Sequence, residues 1–183
     1  IYLCNHYGLN PVAEYWESII KINDWQQERI TKIIVNKLFG TVAEKNIAIL
    51  GFSFKSNTND TRESPAIKIC NDLINEGGNL KIYDPKVTEK QIEIDLKLKQ
   101  SDDFSSYENG SWIHSPSILE ATKGVDGIIV LTEWDEFKNI NWHDISQHTR
   151  KPTWLFDSRK ICNTEQAKAE NLEVWELGSS ESE

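Results

Sequence analysis

Residues 127–131, GIIVL, constrain the fold more than any other stretch of this chain. The run has no polar face, so a strand built from it must be covered on both sides. Parallel sheets meet that condition, because their crossover helices lie on both faces. The rest of the chain agrees: short apolar runs alternate with helical periods, and Gly or Pro marks most changes. Asn46–Leu50 reads as a buried strand, followed by a helix over residues 65–76 that Gly77-Gly78 stops. Residues 80–83 form a strand closed by Asp84-Pro85, Glu89–Leu96 is helical, and residues 97–110 are a polar surface loop. A short strand over 112–114 precedes Ser115-Pro116, which predicts a helix start of the same kind as Ser64-Pro65. Residues 142–148 and Thr164–Ala169 read as helices, and 154–156 and 173–176 as strands.

This order predicts an α/β fold. The expectation is a three-layer αβα, Rossmann-like domain with a doubly wound, mostly parallel six-stranded sheet in the order 3-2-1-4-5-6. Ligands of such sheets bind beyond the carboxyl ends of the strands, near the reversal of strand order. The loops after Leu50, Leu131 and Phe156 are therefore the candidate binding edge.

A long helix stands in front of this domain. Asn10 can cap it and Pro11 suits its first turn. No Gly or Pro follows until after Phe39, so the helix would run ~29 residues and ~44 Å at ~1.5 Å per residue. Val12, Tyr15, Trp16, Ile19, Ile20, Ile22, Trp25, Ile30, Ile33, Ile34 and Leu38 cover more than one stripe. Either the helix over residues 11–39 is a dimer contact or interdomain link, or it packs only on its own domain with a break at Asn23-Asp24. The expected division is a linker and dimerisation segment over 1–40, an α/β domain over 41–178 and a tail over 179–183. The opening IYLCNHYG reads as the end of a helix stopped by Gly8. With no Met among the 183 residues, the chain is expected to be a fragment of a longer one.

The net charge is −9, which argues against a nucleic-acid or membrane-surface role. No apolar run approaches the roughly 20 residues that span a bilayer. An anionic ligand would need a local cluster of Lys and Arg. The 3 Cys and 4 His are scattered and show no zinc spacing, and the thiols point to a reducing cytoplasm. Cys4, Cys70 and Cys162 all read as buried structural residues rather than nucleophiles.

The loop after the first strand carries Phe54, Lys55 and Arg62. The loop after the fifth carries Asp157-Ser158-Arg159-Lys160, and both are released over the same sheet edge. Cations beside an aromatic ring suit a nucleotide, the cations for phosphates and the ring for a base or sugar. The alternative is that Lys55 and Arg62 are solvated loop residues. A dinucleotide fingerprint needs G-x-G-x-x-G and an acid at the end of the second strand. Asp84 stands at that strand end, but Ser53 and Ser56 replace two glycines, and Asp84-Pro85 is more simply a turn. A complete NAD site in this domain is not expected. Asp60, Glu63, Glu133 and Asp135 lie near the binding edge without a partner that would make one of them an acid or base, so no catalytic residue and no metal ligand is assigned.

The blocks IAILGFSFKSNTNDTRESPAI, YDP, LTEWDEF and FDSRK, in that order, resemble the C-terminal domain of the nucleotide-sugar 6-dehydrogenases, the UDP-glucose/GDP-mannose dehydrogenase family. NPVAEYWESIIKINDWQQERI is similar to that family's long central helix, which links two domains and forms much of a homodimer contact. The resemblance implies the UDP-binding part of an NAD-dependent enzyme that oxidises the 6-hydroxyl of a UDP-sugar to a carboxylate by two hydride transfers, with UDP-glucose as the nearest members' substrate. It implies that the N-terminal NAD-binding domain and a cysteine nucleophile in a GGSC motif precede Ile1, so that this part alone lacks catalysis. Cys4 matches a non-catalytic helical cysteine. By position, Phe54 and Lys55 resemble substrate contacts. Arg159 resembles the arginine that meets the UDP moiety, and Arg62 one that reaches the NAD of the other domain. FDSRK stands where FDGR is commoner, with Ser158 in place of Gly. A GDP-mannose or UDP-N-acetyl-sugar dehydrogenase, or a non-catalytic dimerisation module, remain the alternatives.

Overall fold

A computed structural model describes residues 1–102 and 110–179. Six strands form one sheet in the order β3-β2-β1-β4-β5-β6. They are β1 (Asn46–Leu50), β2 (Asn79–Tyr83), β3 (Ser111–His114), β4 (Gly127–Val130), β5 (Thr153–Asp157) and β6 (Leu172–Glu176). Every pairing is parallel, so the expected doubly wound topology is present and the sheet is wholly parallel. Strand β1 lies at the reversal, with Leu50 paired to Tyr83 on one side and to Val130 on the other.

The helices are α1 (Tyr2–His6), α2 (Asn10–Lys37), α3 (Pro65–Asn75), α4 (Glu89–Leu96), α5 (Ile118–Thr122), α6 (Trp142–Ser146) and α7 (Thr164–Ala169). Alternation along β1 splits the core in two. Ile47 and Ile49 pack with Ile34, Ile69, Leu73 and Ile92 from α2, α3 and α4, and with Leu38 just after α2. Ala48 and Leu50 pack with Ala121, Trp142, Ile145 and Ala167 from α5, α6 and α7. Both faces are covered, which is why β4 could be apolar at all four positions, each buried.

Local chemistry explains most boundaries. Ser64 accepts a hydrogen bond from Ala66 N, and Pro65 follows it at the start of α3, as its sequence predicts. Ser115-Pro116 behaves differently from the expectation. The Ser115 amide donates to the Ile82 carbonyl at 2.8 Å, extending the β2–β3 ladder, and Pro116 disfavours helical backbone just before it. The cap of α5 is Ser117, which accepts from Glu120 N. No break occurs at Asn23-Asp24: α2 runs unbroken for 28 residues. A 3-10 turn over Asp135–Asn139, not expected from the sequence, buries Phe137 in the second core. Half of the polar loop expected over residues 97–110, residues 103–109, lies outside the described residues.

Cys70 is fully buried, as expected. Cys4 and Cys162 are only half-buried, which corrects the reading of all three as buried. Helix α1 has no buried residue, so it gives Cys4 no core to enter.

Candidate functional site

Three backbone hydrogen bonds carry the ladders past the strand ends and set the loops in register. Gly51 N donates to Tyr83 O at 2.8 Å, Leu131 N to Leu50 O at 2.9 Å and Ser158 N to Val130 O at 3.3 Å. The loops after β1, β2, β4 and β5 therefore leave the sheet side by side, at the reversal.

The loop after β1 is held from below by buried polar groups. Oδ2 of Asp84 accepts from Phe52 N at 2.8 Å, Ser53 N at 3.0 Å, Ser53 Oγ at 3.1 Å and Trp134 Nε1 at 3.1 Å. Its Oδ1 accepts from Lys86 N and Val87 N. Asp84 is 5% exposed, so this shell of donors replaces water around a buried charge. Thr132 Oγ1 donates to Ser53 O at 2.7 Å, and Ser64 Oγ donates to Phe52 O at 2.8 Å. Gly51 is required here: it sits at φ +91°, and a Cβ on it would lie 2.5 Å from Thr132 Cβ and 2.8 Å from Thr132 N. The outcome is that Phe52 and Ser53 are buried while Phe54, two residues on, is 47% exposed.

The loop after β5 is tied in the same way. Asp157, fully buried, accepts from Arg159 N at 3.0 Å through Oδ1 and from Ile161 N and Cys162 N through Oδ2. Ser158 donates its hydroxyl to Val130 O at 2.6 Å. Its backbone is outside the left-handed region, which Lys160 adopts instead at φ +55°. The turn therefore accepts a side chain at residue 158. Burial, and then the Asp157 carboxylate beside it, push the Cys162 thiol upward, and burial pushes the Cys70 thiol upward. Both shifts disfavour the thiolate, the nucleophilic form of cysteine.

Between these loops and α2 lies a cleft of about 630 Å³. Phe54, Lys55 and Arg159 all line it, together with Glu133 from the loop after β4 and Asn23 and Gln27 from α2. Among the described residues, the Lys55 ammonium forms no salt bridge and no hydrogen bond. Arg159 donates its Nε–H to Leu131 O at 2.7 Å, and the same nitrogen lies 3.6 Å from Glu133 Oε2. The floor is apolar, with Ile30, Ile69 and Leu131. An open cation, a held guanidinium and a half-exposed aromatic ring can bind an anionic, ring-bearing ligand such as a nucleotide.

Arg62 does not line this cleft. Its Nε donates to Asp60 Oδ1 at 2.9 Å and its Nη2 to Asp60 Oδ2 at 2.6 Å, and its side chain is 87% exposed. That paired guanidinium, above all, holds the Asp60 carboxyl down at about 2.

The residues of this domain do not fit a dinucleotide. Ser53 and Ser56 replace two of the glycines that bring backbone against a pyrophosphate. The acid that would grip a ribose, Asp84, has both oxygens committed to loop donors. Among the described residues no cluster of His, Cys, Asp or Glu could hold a metal ion, and no helix is long and apolar enough to cross a membrane.

Asp84, Thr132 and Glu133 carry more of the site than their sequence context indicates. The available signal was the strand order. With β2 and β4 flanking β1, the residues after Tyr83 and Leu131 must meet the loop after Leu50.

A UDP-glucose 6-dehydrogenase of Arabidopsis thaliana is 40% identical to this chain, over 97% of the chain and 39% of its own length. The chain thus spans about two-fifths of the relatives it matches. Two solved structures share the fold. A UDP-glucose dehydrogenase from Pyrobaculum islandicum aligns with TM-score 0.65 at 17% identity, over 87% of this chain and 31% of its own. A UDP-D-ManNAc dehydrogenase from Pyrococcus horikoshii aligns with TM-score 0.65 at 24% identity, over 86% and 32%. Residues 48–164, which hold the last three residues of β1, the loop after it and the loop after β5, match the UDP binding domain of the UDP-glucose/GDP-mannose dehydrogenase family. The chain belongs to that family.

Proposed function

We propose that this chain is the UDP-sugar-binding part of an NAD-dependent UDP-glucose 6-dehydrogenase, which oxidises UDP-glucose to UDP-glucuronate by two hydride transfers. The observation that carries this reading is the cleft at the sheet reversal, where Phe54, Lys55 and Arg159 converge within a chain 40% identical to a UDP-glucose 6-dehydrogenase. In this reading Lys55 and Arg159 bind the diphosphate, and Phe54 offers its ring to the base or sugar. NAD would be held by another domain of the full protein, since the loop after β1 lacks the features a dinucleotide needs. Arg62, outside the cleft lining, exposed and paired with Asp60, would meet that cofactor. The residues described here bind and orient substrate, and the chemical steps belong to groups outside them. Titration of UDP into the chain, read as heat, tests the proposal: binding supports it, and no binding refutes it.

A second property rests on the exposed apolar residues of α2, of which Ile20 also borders the cleft. Val12, Tyr15, Trp16, Ile20, Ile22 and Trp25 of α2 are 44–62% exposed. So many large apolar residues exposed on one helix suit an interaction surface. We propose that it is buried in a homodimer through α2, with the UDP-binding domain beginning after the Gly40 turn and the protein working in the cytoplasm.

A further inference from the structure

The geometry points to Glu133 as the residue that positions Arg159 for an anionic ligand. This inference rests on the reading of the cleft as a nucleotide site. Residue 133 is presented from a rigid turn. Its neighbour Thr132 is fully buried and bonded to Ser53 O, and its neighbour Trp134 is bonded to Asp84 and through its amide to Thr132 O at 3.0 Å. The Glu133 side chain, 39% exposed, places Oε2 at 3.6 Å from Arg159 Nε, the same nitrogen that donates to Leu131 O. Asp157 fixes the other end of the arginine through its backbone N–H.

Every contact therefore falls on the Nε side of the guanidinium. Among the described residues no group bonds to Nη1 or Nη2. Nη1 and Nη2 carry four N–H donors, and one from each points along the free edge as a fork, the arrangement that takes a phosphate or carboxylate in two parallel bonds. Glu133 and the Leu131 carbonyl hold the guanidinium by the edge the ligand does not need. A long side chain that is already ordered loses less entropy on binding.

Simple charge counting predicts the opposite role. Glu133 adds a negative charge to a cleft meant for a diphosphate, so removing it by Coulomb attraction alone would tighten binding. Positioning predicts that removing it weakens binding. The sign of the effect separates the two.

The test is calorimetric titration of UDP and of uridine into the 183-residue chain, for wild type, Glu133→Gln, Arg159→Ala and the double variant. Glu133→Gln should weaken UDP about three- to tenfold, the scale of ordering one long side chain, and leave uridine unchanged. In the Arg159→Ala background it should have no further effect. Glu133→Asp, which keeps the charge on a shorter arm, should fall between wild type and Gln. UDP affinity that is unchanged or tighter in Glu133→Gln, or a loss of equal size without Arg159, would overturn the assignment. A wild-type chain that binds no UDP would overturn the nucleotide reading itself, and this inference with it.

Discussion

Asp84 accepts the indole N–H of Trp134 at 3.1 Å, so a carboxylate at the end of β2 holds a ring carried by the loop after β4. The same oxygen takes both amides at the start of the loop after β1. One buried charge thus joins three loops at the point where the strand order reverses, and Phe54 and Lys55 stand on what it supports.

Asp84→Ala removes six hydrogen bonds to a charged acceptor and leaves buried donors without partners. The expected loss of stability is about 3 kcal/mol or more, measured as a shift of the urea midpoint. Asp84→Asn keeps one acceptor oxygen and should lose less. Equal stability of all three proteins would show that the loops are held by packing alone.

The fold was largely legible because its signals are local. GIIVL declares a two-sided strand, and Ser64-Pro65 declares a cap and first turn. The sheet order follows from alternation of strand and helix and a general handedness rule. The position of Phe54, Lys55 and Arg159 on one edge follows from that order. What stayed hidden depends on register and direction. Asp84 looked like a turn residue because its six donors come from residues 52 to 134, which only the assembled sheet brings together. Ser115 and Ser117 both precede a helical run, and the choice between them rests on whether Ser115 N still has a β2 carbonyl to reach. The engagement of Arg62 with Asp60, two residues away, depends on loop geometry that no periodicity records.

The Asp60–Arg62 pair gives a pH signature. Folding holds the Asp60 carboxyl at about 2, chiefly through its hydrogen bonds from Arg62, against about 3.9 for a free aspartate. A lowered pKa means that the contribution of the pair is complete above about 4 and is lost as pH falls through about 2. A carboxyl-detected NMR titration should find Asp60 near 2 and return it toward the free value in Arg62→Ala. The pair is solvent-exposed, so stability at neutral pH should hardly change. An unperturbed Asp60 in the wild-type protein would contradict the bidentate geometry.

Trp16 is one of the exposed apolar residues of α2, at 50%. If those residues pair with a second copy, burying a charge there without a partner is costly. Sedimentation should then find a dimer for wild type and a monomer for Trp16→Glu, with UDP affinity unaffected because Trp16 does not line the cleft. A wild-type monomer, or a Trp16→Glu dimer, would contradict the proposed contact.

The central claim is that Lys55 and Arg159 form the diphosphate site of this domain. Titrating UDP into wild type, Lys55→Ala and Arg159→Ala tests it most directly. Each lost charge-assisted contact should weaken UDP roughly tenfold to a hundredfold, with NAD producing no heat in any of the three. UDP binding that is unaltered by both substitutions, or NAD binding in place of UDP, would contradict it.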